Sequence, residues 1–290
     1  MAAAQYWFDS HDGLRLYSLL HAGPTATAPV VLCLHGLMRN GRDFEDLAPH
    51  LASRYRVIVP DVRGRGFSAR DPDYNNYQLP VYIRDTLALL AGLGVAHASI
   101  IGTSMGGLMA MLMAAMQPGL VTGMVLNDVG PELDPAGIER IRGYAGRTSP
   151  VASWPEAIAQ VRTVYGSVWP ELSETGWEKL VRRGYRANAQ GVPQVDADPM
   201  IGEPLRNTQA AAPDLWPLWG ALANIPVLAI RGEHSDILSA ATLARMQKKP
   251  AVTTLTVANR GHAPLLDEPG CVAAIDAFLA GLVSQVSRRE

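Results

Sequence analysis

Cysteine is nearly absent: Cys33 and Cys271 are the only two among 290 residues. Cys33 lies in an apolar run and Cys271 near a helix start, so both read as reduced core residues and no disulfide framework is implied. Charge of one sign is also lacking, with a net charge of −2. That balance gives no basic excess for nucleic acid or an acidic membrane surface, and no nucleic-acid partner is expected. No uncharged apolar run is long enough to span a bilayer. The opening Met1-Ala2-Ala3-Ala4-Gln5-Tyr6-Trp7 has no basic segment leading into an apolar core, as a secretory signal requires. A cytoplasmic protein without membrane insertion is the expectation. No His/Cys/Asp cluster has metal-ligand spacing, and Gly106-Gly107 lacks the lysine of a phosphate loop. Neither metal nor cofactor is expected. Internal repeats and low-complexity tracts are missing too.

What is present is a hydrophobic fraction of 48 %, enough for a large core. The size fits one large α/β domain or one domain carrying an insertion. Tyr6–Phe8 and Leu14–Leu20 read as strands joined through the Asp12-Gly13 turn. Val30–Leu34 is almost continuously apolar, as a central strand covered on both faces would be. A helix with Phe44, Leu47 and Leu51 on one side follows, then a strand over Tyr55–Pro60 and a helix within Leu79–Leu93. Strand Ala98–Ile101, a helix rich in Ala, Leu and Met, and strand Val121–Leu126 come next. This alternation predicts a parallel sheet with right-handed crossovers. From about Glu132 to Trp219 no convincing strand is found, only amphipathic helical stretches near Ile138–Tyr144, Pro155–Tyr165 and Glu174–Tyr185. Strand, helix and strand then return at Pro226–Ile230, Leu243–Met246 and Thr253–Val257, and a closing helix starts near Pro269. The expected division is a core of residues 1–131 and 220–290 interrupted by a helical insertion, 132–219.

Gly102-Thr103-Ser104-Met105-Gly106 stands between an apolar β-branched run and a helix, the context in which G-x-S-x-G presents a nucleophile. Functional groups gather at the carboxyl ends of parallel strands. His262, in Gly261-His262-Ala263-Pro264 after the last strand, is the expected base. Two carboxylates compete to orient it. Asp236 is favoured because its loop adjoins the strand leading to His262, and Asp128, after Val121–Leu126, is the alternative. Both keep the chain order Ser, Asp, His. The N–H groups of Met105 and of Leu37, in His35-Gly36-Leu37, are the expected oxyanion donors. Arg39, Arg42, Arg54, Arg56, Arg63, Arg65 and Arg70 are interspersed with acidic residues and read as a solvated surface.

Together His35-Gly36, Asp61-x-Arg63-Gly64-x-Gly66-x-Ser68, Gly102-x-Ser104-x-Gly106-Gly107, Gly232-x-x-Ser235-Asp236 and Gly261-His262 resemble the α/β-hydrolase fold family, along essentially the whole chain except the insertion. The resemblance implies an eight-stranded, mostly parallel sheet with a helical cap after the sixth strand. It also implies that Asp61 and Arg63 brace a loop. Serine at position 104 separates the chain from relatives that use aspartate there. The expected activity is hydrolysis of a small apolar carboxylic ester or lactone through an acyl-enzyme on Ser104. Cleavage of a carbon–carbon bond in a β- or vinylogous diketone, acyl transfer, and non-catalytic ligand binding are the alternatives. His35, Trp154, Tyr165 and Trp177 are the expected substrate-binding residues.

Overall fold

The computed structural model describes residues 3–207, 213–222 and 224–286. Residues 1 and 2 of the opening segment and 208–212 of the expected insertion lie outside the described residues. Strands β1 (Ala4–Asp9) and β2 (Arg15–His21) form an antiparallel pair, and β2 also runs antiparallel to β4 (Arg56–Asp61). All other neighbours in the main sheet are parallel: β3 (Val30–Leu34), β5 (Ala98–Thr103), β6 (Val121–Asn127), β9 (Val227–Gly232) and β10 (Val252–Val257). The eight strands lie in the order β1-β2-β4-β3-β5-β6-β9-β10, so the expected mostly parallel sheet is present.

Alternation along β3 explains why its sequence is apolar throughout. Val30, Leu32 and Leu34 face one cluster with α2 (Leu79–Gly92) and α3 (Met105–Met116), while Val31 and Cys33 face a second with α1 (Leu47–Leu51) and α10 (Pro269–Val286). Successive side chains of a strand point to opposite faces, so helices on both sides require apolar residues at every position. Helix α3 is buried on most sides, as its Ala, Leu and Met content implies. Helix α9 (Ala240–Met246) adds Leu243 and Met246 to the first cluster. Cys33 and Cys271 are buried free thiols. Among the described residues no helix is long and apolar enough to cross a membrane.

Between β6 and β9 lie α4 (Pro135–Tyr144), α5 (Trp154–Tyr165), α6 (Glu174–Gly184), α7 (Glu203–Asn207) and α8 (Trp216–Ala221). Ser153 and Ser173 cap α5 and α6 through their hydroxyls, which accept from Glu156 N–H and Gly176 N–H. Helix α6 buries Trp177, Leu180, Val181 and Gly184, a stripe at helical spacing packed against Ala157 and Val161 of α5. One expectation fails here. Tyr185–Ala187 (β7) and Pro193–Val195 (β8) form an antiparallel hairpin in a stretch read as lacking strands. Three-residue strands are too short for alternation to show in a sequence.

The arginine reading also needs correction. Arg63 and Arg65 are among the largest fully buried side chains. Arg63 pairs with Asp12, Asp71 and Asp85 at 2.9, 2.5 and 2.6 Å. Asp61 accepts hydrogen bonds from Gly41 N–H (2.7 Å) and Phe67 N–H (2.8 Å), so both residues brace their loop.

Candidate active site

Ser104 sits at the junction of β5 and α3 with φ 52° and ψ −113°, a strained backbone for a residue with a side chain. Two glycines make the turn possible. A Cβ at Gly102 would lie 2.4 Å from the Gly106 carbonyl carbon, and one at Gly106 would lie 2.2 Å from the Leu34 carbonyl oxygen. Helix and sheet therefore approach at backbone distance, and any side chain there would force them apart.

His262 Nε2 lies 2.8 Å from Ser104 Oγ, and His262 Nδ1 lies 2.8 Å from Asp128 Oδ2. With Nδ1–H donating to the carboxylate, the Nε2 lone pair is left to accept the serine proton. Asp128 is fully buried and accepts three hydrogen bonds: from Gly232 N–H (2.8 Å), the Ser235 hydroxyl (2.6 Å) and His262. Its φ of 57° lies in the left-handed region, which aspartate tolerates better than most residues.

Asp236, the favoured partner of His262, is elsewhere. It forms a fork with the Arg140 guanidinium, with Arg140 Nη2 donating to Oδ1 at 2.8 Å. Burial pushes its carboxyl up, but the hydrogen bonds and charge of Arg140 outweigh this and hold it below the ordinary value. The expectation that the shorter loop supplies the acid overlooked the strand order. β6 lies between β5 and β9, so its end is one strand spacing, about 4.8 Å, from the strand that carries Ser104, and β9 is two. The loop after β10 folds back over β9 to deliver His262 there, held by Asn127 Nδ2 donating to Pro264 O (2.9 Å) and Arg260 O accepting from His234 N–H (2.8 Å). Ser235 was read only as part of a motif. Its hydroxyl steadies Asp128, while its oxygen accepts from Leu238 N–H at 3.0 Å.

Leu37 and Met105 flank Ser104, and among the described residues neither N–H has a hydrogen-bond partner. Gly36 brings the loop after β3 close, since a Cβ there would lie 4.0 Å from Ser104 Cβ. His35, expected to touch substrate, is instead fully buried behind that loop. Its Nδ1–H donates to Gly36 O (2.8 Å) and its Nε2 accepts from Val62 N–H (3.0 Å). Burial lowers its pKa to about 4, so the ring is neutral.

Ser104 and His262 open into a cavity of about 530 Å³. Tyr165 lines it, together with Tyr144, Trp169, Ile141, Leu180 and Leu266. Burial pushes the Tyr144 and Tyr165 phenols up, leaving both neutral. Trp154 and Trp177 do not line it. Trp177 is only 4 % exposed, in edge contact with Trp169 at 6.0 Å, and Trp154 lies under the Arg182 guanidinium at 4.5 Å. The Trp169 Nε1–H donates to Ala263 O at 3.0 Å, next to His262.

Three arginines reach the cavity wall: Arg39, Arg147 and Arg183. Asp43 neutralises Arg39, with Nε 3.0 Å from both carboxylate oxygens, and Glu45 and Asp46 pair with Arg183 at 2.9 and 2.5 Å. Arg147 is exposed and has no carboxylate partner among the described residues. Away from the cavity, His11, Asp12 and Asp85 place donor atoms within 4.8 Å of one another, although their sequence spacing suggests no cluster. Both carboxylates already hold Arg63, which fills the cation's role there.

Residues 29–269 match the model of the α/β hydrolase fold family. A 3-hydroxybutyrate-oligomer hydrolase of Cupriavidus necator is 35 % identical over 281 residues, covering 94 % of this chain and 95 % of that protein. A 2-(acetamidomethylene)succinate hydrolase of Mesorhizobium japonicum is 26 % identical, covering 84 % of each chain. The crystal structure of an α/β hydrolase from Novosphingobium aromaticivorans superposes with a TM-score of 0.92 at 44 % identity, covering 97 % of this chain and 99 % of that one.

Proposed function

The chain belongs to the α/β hydrolase fold family and is a hydrolase, and within that family we propose that it is a serine-dependent carboxylic ester hydrolase. The observation that carries this reading is the continuous line Ser104–His262–Asp128, with both links at 2.8 Å, opening into the cavity. Ser104 Oγ attacks the ester carbonyl as its proton passes to His262 Nε2, and Asp128 stabilises the imidazolium. The Leu37 and Met105 N–H groups receive the oxyanion, aided by the N-terminus of α3. Collapse expels the alcohol, which takes the proton from His262. Water, deprotonated by the same nitrogen, then releases the acid and restores Ser104. Residues 132–219 act as a cap over the core, and their aromatic and aliphatic side chains contact the parts of the substrate remote from the scissile bond.

The preferred substrate in this reading is a short ester that ends in a free carboxylate, such as a linear oligomer of a small hydroxyacid. Two features support that choice. Arg147 is a cavity-wall cation with no carboxylate partner among the described residues, and the relative from Cupriavidus necator is named for 3-hydroxybutyrate oligomers. The test has two parts. A fluorophosphonate should label Ser104, and Ser104→Ala should lose both labelling and turnover; labelling that persists in the variant overturns the nucleophile. A panel of a hydroxyacid dimer, a lactone, an aryl acetate and a vinylogous diketone should show the dimer hydrolysed best. Preference for the diketone would move the enzyme to carbon–carbon bond cleavage.

A further inference from the structure

Arg65 is only 1 % exposed, and among the described residues no carboxylate pairs with it. Buried charges are ordinarily matched by an opposite charge. Arg63, two residues earlier, follows that rule with three aspartates. Arg65 is instead held by neutral groups: Nε donates to Leu37 O at 2.9 Å, Nη1 to Arg63 O at 2.7 Å, and Nη2 approaches Met105 Sδ at 3.7 Å. The faces of Tyr82 and Tyr77 cover it, with ring centroids 4.6 and 5.8 Å from Cζ. Two of those contacts are to Leu37 and Met105, the residues whose N–H groups the proposed mechanism assigns to the oxyanion.

We propose that Arg65 is a positioning residue for the oxyanion site, joining Leu37 to Met105 and keeping a positive charge in reserve for the tetrahedral intermediate. The inference rests on the reading of Ser104 as nucleophile. Its logic is differential. In the resting enzyme the guanidinium has carbonyl and ring partners but no counter-charge. When the substrate carbonyl becomes an oxyanion, a negative charge develops beside the two residues that Arg65 holds. An interaction that strengthens only at that moment raises kcat without tightening substrate binding. The hydrogen bond to Leu37 O also fixes the backbone of the loop after β3, so its N–H is aimed before substrate arrives.

The experiment compares wild type, Arg65→Met and Arg65→Lys on a short ester. Readouts are kcat, KM, the fluorophosphonate labelling rate and inhibition by a trifluoromethyl ketone, which captures Ser104 as a stable oxyanion. Arg65→Met, which keeps the unbranched stem but removes the guanidinium, should lower kcat and ketone affinity in parallel by about 10²-fold, with KM changed by less than about threefold. Arg65→Lys keeps the charge but loses the planar fork, and should fall between, about tenfold down. If wild type is not labelled at all, the nucleophile reading itself fails. If wild type is labelled and a folded Arg65→Met keeps its kcat, or loses through KM with ketone affinity intact, the proposal is overturned. Failure of both variants to fold would assign Arg65 to folding alone and overturn it equally.

Discussion

Asp128 and His262 are joined at 2.8 Å across 134 residues of chain, and the bond orients the imidazole towards Ser104. Removing such a carboxylate leaves the ring free to adopt the wrong tautomer, at a cost of about 10⁴-fold in turnover in other triads. Asp128→Asn should therefore nearly silence hydrolysis of an aryl acetate. Asp236→Asn breaks only the half-exposed pair with Arg140 and should cost less than about threefold. Measured kcat values in the reverse order would put the acid back in the 232–238 loop.

The roles of the aromatic residues separate in the same way. Trp177→Ala empties a buried site and should cost about 3–5 kcal/mol in urea unfolding, while preference among acyl chain lengths stays put. Tyr165→Ala, on the cavity wall, should instead change the ratio of kcat/KM between a long and an acetyl ester. Equal loss on both esters would make Tyr165 structural.

Arg147 supplies a third prediction. Arg147→Gln should lower kcat/KM for an ester ending in a free carboxylate by about tenfold, the scale of one exposed charge-assisted contact. The methyl-capped analogue should be unaffected. Rising salt should erode the wild-type preference in the same direction. If capped and uncapped substrates fall together, the residue does not read the carboxylate.

His35 gives stability a pH dependence whose sign is fixed by its bonding. Protonating Nε2 would set a second N–H against the Val62 N–H, and burial already disfavours the cation. The folded pKa, about 4, lies below the unfolded value of 6.5, so the unfolded chain binds the extra proton between them. Stability is therefore complete above about pH 6.5 and lost as pH falls towards 4, by about 3 kcal/mol from this group. His35→Gln should be less stable near neutrality but lack that step. The difference between the two urea titration series isolates it, and parallel curves would rule His35 out as the cause.

Ser104 and His262 were legible because their signals are local: an apolar strand, a glycine and the start of a helix or loop lie within a few residues of each. The two oxyanion candidates share that property. Asp128 was legible only as the alternative partner of His262, ranked below Asp236, because loop length says nothing about which strand stands between two others. Arg63 and Arg65 failed for a related reason. Composition places arginine at the surface, and the aspartates that hold Arg63 are scattered at 12, 71 and 85. The rings of Trp154, Tyr165, Trp169 and Trp177 carry the same chemical promise in sequence. Only the packing of α5 against α6 decides which of them face the cavity.

The hairpin β7–β8 bears on how a substrate arrives. Just past it, Asp196 O accepts from Gly66 N–H at 3.0 Å and Asp198 N–H donates to Gly64 O at 2.7 Å, stitching the segment after the hairpin to the loop that carries Arg65. Two more seams close other sides: Gly261 N–H to Val168 O at 2.7 Å, and Asn40 Nδ2 to Arg183 O at 3.0 Å. Around Arg147, Thr148 and Ser149 the wall is exposed, and among the described residues fewer bonds sew it. In the proposed ester hydrolase, the side of the cavity at Arg147 is then the expected route to Ser104, and an acid leaving the enzyme would meet the same cation as the incoming ester.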